Sequence, residues 1–287
     1  MNEPDKTNKE LYKEIFSRVH SACGNKNKLE VIMQNNQKRK IKLNRKPIMA
    51  IAAAALIICL SLSVYAAVNF FILTPAEIAE ELGQTKLAEA FNDGRGVEIA
   101  QSVTSCGYVL SLHALAIGSD LDEYRGYFDI DSESTYTVIS IHRENGEPMN
   151  YFDPEMTFET MFTSQIFFEG YKPWHLNSII FGCGGSAFEK DGVLYWIYQI
   201  DENIEMLANR TVYLGIWDMG IGFMGAEMFN IGDDGSIAFA DGLDKAHAMF
   251  ALPLDPSKAD PSRLEQVLSD RGYEEEYIAT IKEWYIP

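Results

Sequence analysis

The sequence predicts an α+β chain: one N-terminal transmembrane helix, then an extracytoplasmic domain with an antiparallel sheet or sandwich and flanking helices. Three observations carry that prediction. An uncharged run extends from Pro47 to Ala76, basic residues crowd its N-terminal side while acids dominate beyond it, and from Val97 onwards the hydrophobic period falls from about 3.6 towards 2. The divisions that follow are a cytoplasmic tail at 1–46, a transmembrane helix at 47–73 and an acidic extracytoplasmic α+β domain at 74–287.

The apolar centre of the run, Ile48 to Val68 (IMAIAAAALIICLSLSVYAAV), is 21 residues long. As a helix rising ~1.5 Å per residue it spans roughly 31 Å, the hydrocarbon thickness of a bilayer. It has no polar stripe, which separates it from a buried globular helix. Ahead of it stand Lys38, Arg39, Lys40, Lys42, Arg45 and Lys46, and after it no Lys or Arg occurs until Lys86. That is the positive-inside pattern, which places the tail in the cytoplasm and the C-terminal domain outside a single-pass cell-membrane anchor. The basic cluster is expected to rest on anionic lipid head groups, at ~1 kcal/mol per residue near the surface. Tyr65, Phe70 and Phe71 suit the outer interfacial belt. The rival reading is a cleavable signal peptide with Val64-Tyr65-Ala66 as its cleavage site. Against it, the charged segment ahead of the apolar run is far longer than a secretory n-region.

Residues 1–47 hold 12 basic and 5 acidic groups of the chain's 24 and 42, leaving 12 and 37 beyond, a net of −25 against −18 overall. A domain this acidic lacks the clustered Lys and Arg that phosphate contacts need, so no direct nucleic-acid binding is expected. About 215 residues past the anchor suffice for one compact domain with a real core, or two small ones. Neither an internal repeat nor a low-complexity linker is present.

In the tail, Leu11, Ile15 and Val19 fall at i, i+4 and i+8 of a helix from Asn8 to about Ala22, with Tyr12 and Phe16 beside them. A tail this short builds no large core of its own. Its stripe must lie on membrane, self-associate or dock into a partner's groove, and because the helix mixes acids with bases, docking through Leu11, Ile15, Phe16 and Val19 is preferred.

Beyond the span, Thr74-Pro75-Ala76-Glu77 is a capping-box start for a helix to about Leu82, closed by Gly83. A second helix is expected from Thr85 through about Phe91. Strands are expected near Val97–Val103, Tyr108–Ile117, Tyr136–His142, Val193–Ile200 and Thr211–Trp217, which are rich in β-branched and aromatic residues. Asn145-Gly146, Asp191-Gly192 and Asp234-Gly235 signal hairpin turns. Helix returns around Leu243–Phe250, again after Asp260 with Pro261 as its first residue and Leu264, Val267 and Leu268 on its face, and last from Glu274 to Trp284.

Chemical signatures are sparse. No H-E-x-x-H, G-x-S-x-G or Walker loop occurs, so neither catalytic nor cofactor-binding residues are assigned, and the chain is read as a non-enzyme. Gly182-Cys183-Gly184-Gly185-Ser186 has the look of a phosphate cradle without its Lys and reads as a tight turn or loop. Asp129-Ile130-Asp131-Ser132-Glu133 lacks the glycine and terminal glutamate of a calcium loop and reads as solvated acids, and no metal ligands are assigned. His113 and His142 are expected at exposed positions of alternating strands. Trp174, Trp196, Trp217 and Trp284 are expected mainly in core packing. Cys106 and Cys183 are either a disulfide in an oxidising compartment or two buried free thiols.

Taken together, the basic-flanked Ala-rich span, the segment TPAEIAEELGQTKLAEAF, the EKDGVLYWIY hairpin and LPLDPSKADPSRLEQVL resemble the Gram-positive bacterial single-pass family carrying domain of unknown function 4179. The resemblance covers the anchor and most of the outer domain. It implies a membrane-bound, anti-sigma-factor-like regulator whose tail sequesters an extracytoplasmic-function sigma factor while the outer domain senses an envelope condition. One departure stands out: the zinc-binding anti-sigma module has a His-x3-Cys-x2-Cys motif, whereas His20 here is followed by Cys23 alone, so the sigma contact would be zinc-independent. The alternative is an envelope-exposed ligand-binding or structural module for which the helix is only an anchor.

Overall fold

The computed structural model describes residues 72–124, 130–155, 161–222 and 225–283. The tail helix with Leu11, Ile15, Phe16 and Val19, the basic cluster at 38–46, the apolar run at 48–68, Asp129 and Trp284 lie outside the described residues. Among the described residues no helix is long and apolar enough to cross a membrane.

The chain opens with two short helices, α1 (Pro75–Glu81) and α2 (Thr85–Asn92). The Thr74 hydroxyl accepts the Glu77 N–H at 3.2 Å and the Glu77 carboxylate accepts the Thr74 N–H at 2.7 Å, the reciprocal capping box that the sequence predicts. Gly83, at φ 74°, ends α1 in the left-handed region where a side chain is costly. Strands β1 (Val97–Ser105), β2 (Tyr108–Ile117), β3 (Thr135–Arg143), β4 (Phe162–Phe168), β5 (Cys183–Lys190), β6 (Val193–Ile200), β7 (Val212–Asp218), β8 (Phe229–Ile231), β9 (Ile237–Phe239) and β10 (His247–Ala251) follow, and helices α3 (Arg263–Asp270) and α4 (Glu275–Glu283) come last.

The strands form a five-stranded sheet in the order β1-β2-β3-β6-β5, a three-stranded sheet β10-β7-β4 and a ribbon β8-β9. Every pairing is antiparallel. The α+β class with antiparallel sheets and flanking helices is thus observed. Side-chain alternation decides the layering. One face of the large sheet, through Leu112, Ile139, Ile141 and Leu194, meets Ile166, Phe168, Leu214 and Phe250 of the smaller sheet in the main core, which also takes in Leu264, Leu268 and Ile281 of the last two helices. Its other face, through Ala114, Ala116, Val138 and Ile197, meets Ile78, Ala79, Leu87 and Ala90 of the first two. The smaller sheet is likewise covered twice, because Phe167 and Trp217 point away from the main core onto Met228, Phe229, Ile237 and Phe239 around the ribbon. Truncating a fully buried residue such as Ile139 to Ala would cost roughly 2–5 kcal/mol.

Several expectations are corrected. The segment read as helix around Leu243–Phe250 contains strand β10, whose His247 to Ala251 pair with Trp217 to Tyr213 of β7. The Gly182–Ser186 segment is no loop: from Cys183 it is strand β5, held in register by the Asp191-Gly192 turn that sets Lys190 opposite Val193. Asn145-Gly146 turns the chain at the end of β3 but makes no hairpin, since the next strand, β4, lies in the other sheet. The β1–β2 hairpin is instead closed by Cys106-Gly107, at φ 48° and 80°. Helix α3 begins at Arg263 with Ser262 as its N-cap, not at Pro261 after Asp260. Trp217 is fully buried, while Trp174 and Trp196 are partly buried. Cys106 and Cys183 are both free, and neither is fully buried: Cys106 is exposed and Cys183 intermediate. The hairpin register separates them by three strand spacings and about eight residues of strand length, on the order of 30 Å, far beyond disulfide reach.

Residues 74–287 are expected to be soluble without the preceding chain and to melt in one cooperative thermal transition, whereas aggregated material without such a transition would contradict the fold. The Ser164 hydroxyl is buried with no partner among the described residues. Ser164→Ala should therefore leave the melting temperature unchanged or raise it, because an unpaired hydroxyl loses its water without compensation.

Candidate functional site

The helix-facing side of the large sheet carries a row that is polar where an apolar stripe would be simplest. Ser102 lies opposite Ser111, Ser111 opposite Ser140, and Ser140 opposite Tyr195, straight across β1, β2, β3 and β6. All four are buried. Burial obliges such groups to find partners, and they do so laterally: Ser102 Oγ and Ser111 Oγ are 2.7 Å apart, and Ser140 Oγ is 2.7 Å from His113 Nε2.

His113 reaches Ser140 because β2 is bulged there. The register with β3 slips between Leu112 and Ala114, leaving His113 as the extra residue. The adjoining strand β1 slips as well, between Glu98 and Gln101, with Ala100 at φ 50°, a conformation a residue with a Cβ seldom adopts. The two irregularities open a cleft of about 240 Å³ lined by Glu98, Ala100 and His113 on the sheet and by Ile72, Leu73, Thr74 and Pro75 above it. The Leu73 N–H donates to the Tyr195 hydroxyl at 3.3 Å, so the first described residues of the chain are tied to β6, the strand next to the β5 edge. Further clefts of about 460 and 440 Å³ flank the same Leu73–Pro75 stretch, one running to Phe91 and Gly96, the other to Glu77, Glu81 and Lys190.

Burial pushes the His113 pKa down to about 4, and the neighbouring His142 imidazole acts in the same direction. Burial also lowers His142, whose Nδ1 is buried without a hydrogen-bond partner among the described residues. Both rings are neutral at pH 7. A serine hydroxyl on a histidine is half of a nucleophile–base pair, but Ser140 is wholly buried mid-sheet and His113 is held too acidic to serve as an effective base near neutrality. The arrangement instead works as a polar lock. It fixes the bulge that shapes the cleft, one wall of which is the Ile72–Pro75 segment.

The exposure expected of His113 is thus corrected, and His142 is partly buried. His175 and His247 lie elsewhere, with His247 Nδ1 2.8 Å from the Lys245 carbonyl oxygen. Among the described residues no group of three or more His, Cys, Asp or Glu is placed to hold a metal ion. A signal for the bulge was present in YVLSLHALAI. Leu110 and Leu112 share the main-core face, as do Leu115 and Ile117, and that phase slip across His113 is what an inserted residue produces.

Between pH 6.5 and 4 the unfolded chain binds a proton at residue 113 and the folded chain does not, so stability falls as pH drops through that window, by up to about 3 kcal/mol. In urea titrations from pH 7 to 4, His113→Gln should lose less stability than the wild type. Identical slopes would show that His113 does not titrate as described. Ser140→Ala strands the His113 nitrogen and should cost about 1–3 kcal/mol.

Comparisons with protein-family models, with curated proteins and with solved structures find no match to this chain. The likeness to the family carrying domain of unknown function 4179 rests on the four sequence segments alone.

Proposed function

We propose that this chain is a membrane-anchored regulatory protein, an anti-sigma-factor-like sensor that holds an extracytoplasmic-function sigma factor through its cytoplasmic tail. The observation that carries the reading is the bond from the Leu73 N–H to the Tyr195 hydroxyl, together with α1 starting two residues later and packing on the same sheet. On the predicted topology the span, residues 47–73, ends at Leu73 itself. An event that reshapes the sheet face or its cleft then acts directly on the segment that continues into the membrane.

The tail supplies the other half. A helix bearing Leu11, Ile15, Phe16 and Val19 on one side has no core of its own to bury them in, and a sigma factor's groove would take them. The sigma factor is released when the anchor is cut or rearranged. No reaction is assigned to the domain itself.

The second reading, an envelope-exposed binding module, is favoured by the clefts around Leu73–Pro75 and separates cleanly from the first. Deleting the tail up to Gln37 leaves a binding module active and abolishes a regulator. For the regulator, tagged residues 1–46 are expected to co-purify a sigma factor from lysate under reducing conditions, with Phe16→Asp abolishing capture. Failure to retain any sigma factor would sink the assignment. Protease added to intact cells should degrade residues 74–287 and spare the tail, and the opposite pattern would overturn the topology.

A further inference from the structure

The glycine-rich segment after Phe181 has no part in the site around Leu73, yet it forms the outer strand of the large sheet. Sheet edges are normally blunted by bulges, charges or covering segments, because unpaired N–H and C=O groups template pairing with another chain. The other edges here are managed. Strand β1 carries the bulge at Ile99–Ala100, and β10 lies against β1, with the His247 N–H on Ser105 Oγ at 3.1 Å. Strand β4 is covered by Asn177, which bridges to Phe167, and by Ser178, which exchanges hydrogen bonds with Ile166.

Among the described residues strand β5 is covered only near its turn, where the Glu189 carboxylate accepts the Asn150 and Tyr151 N–H groups and Lys190 pairs with Glu81, and its Gly184–Ala187 stretch has no such protection. The two-residue turn with Lys190 opposite Val193 directs the backbone groups of Ser186, Phe188 and Lys190 towards β6 and those of Gly185 and Ala187 away from it. Gly185 and Ala187 pair with no other strand among the described residues, and Gly184 to Ser186 are exposed. A Cβ at Gly184 would meet nothing within 4 Å, so packing within the chain does not call for glycine there. Glycine in a strand often marks a bulge, a bend or the close approach of a ligand or another backbone, and β5 has no bulge in its register with β6. At Gly185 a Cβ would lie 2.4 Å from Trp196 Nε1, so the partly exposed indole lies across the strand. A residue paired with Gly185 from outside would set its side chain against that ring.

The occupant follows from charge. The chain beyond residue 47 carries a net of −25, and the cations nearest the strand are already matched, Lys190 by Glu81 and Arg271, beside Gly182, by the Asp201 carbonyl oxygen and Glu202. A second copy of this chain brings the same charge and is repelled. A cationic segment is drawn in by that field, and its Lys or Arg gains the indole face.

We propose that β5 docks an extended cationic peptide, which adds as an antiparallel sixth strand along Gly185–Ala187 with a Lys or Arg against Trp196. The edge belongs to the folded domain and stands whatever the tail holds. The test uses the full-length chain in detergent micelles and the synthetic peptide KVKVKVKV with blocked ends, titrated calorimetrically. Because the residue facing Gly185 is both the one bonded to β5 and the one on Trp196, N-methylation of the Lys residues should weaken binding roughly tenfold or more, while N-methylation of the Val residues leaves it nearly intact. The acidic counterpart EVEVEVEV should bind at least roughly tenfold more weakly. Ala187→Pro removes an N–H that faces away from β6, which an edge strand tolerates, and should lose the peptide while keeping its melting transition. No saturable binding, equal binding by both methylated peptides, or dimerisation abolished by Ala187→Pro would each overturn the proposal. If Ala187→Pro fails to fold, the methylated pair decides.

Discussion

Burying both faces of one antiparallel sheet is the constraint from which the rest of this structure follows. Strand β3 is buried at every position from Thr135 to Ile141, so side chains on both faces need cover. The inter-sheet face solves this with large aliphatic and aromatic residues against a second sheet. On the opposite face Ala114 and Ala116 stand among the larger Tyr136, Val138, Tyr195 and Ile197 and leave room for α1 and α2 to sit close. The second sheet inherits the same problem, and Phe167 and Trp217 are covered by a ribbon of two three-residue strands that no isolated hairpin could sustain. Several buried polar side chains are satisfied by one another, although the Ser164 hydroxyl has no partner among the described residues. Ser178 is the clearest case, bonded to Tyr198 at 2.7 Å, to Gln165 at 2.6 Å and to the Ile166 N–H at 2.9 Å between the two sheets.

Helix α3 and the turn before it are fastened by charge as well as packing. Glu202 is buried, and burial raises its pKa while the Arg263 and Arg271 guanidinium groups at 3.7 and 3.8 Å pull it back. Lys258 bridges Asp120 at 2.7 Å and the buried Glu205 at 3.2 Å. These contacts join α3 and the turn before it to the ends of β2 and β6. A lone carboxylate there would be costly, so each arginine matters more for what it neutralises than for the attraction it adds.

Elements whose pattern is local were legible in the sequence, and those fixed by distant partners were not. The capping box at Thr74, strands Tyr108–Ile117 and Val193–Ile200, and the Asp191-Gly192 turn depend on neighbours within a few residues, and each lies where its residues indicate. Strand β10 was illegible because Leu243 to Phe250 is rich in residues that suit a helix, and pairing with Trp217 overrides that propensity. Strand β5 was hidden by its glycines, which suggest a turn until the hairpin partner is known. The site was the least legible part. His113 meets Ser140 across 27 residues and Leu73 meets Tyr195 across 122, separations at which sequence alone names no partner.

The same geometry bears on how a signal could pass. A bulge costs a sheet some ladder hydrogen bonds, and two adjacent bulges, one holding Ala100 in an unfavourable φ, persist only where surroundings compensate. Here the compensation comes from the His113–Ser140 bond on one side and from the Leu73–Pro75 segment on the other. The segment is therefore not a passive tether. Withdrawing it would remove one wall of the cleft over the strand that holds Ala100 at φ 50°. By linkage, a ligand that bound one arrangement of this sheet face better than another would also shift the seating of the Ile72–Pro75 segment.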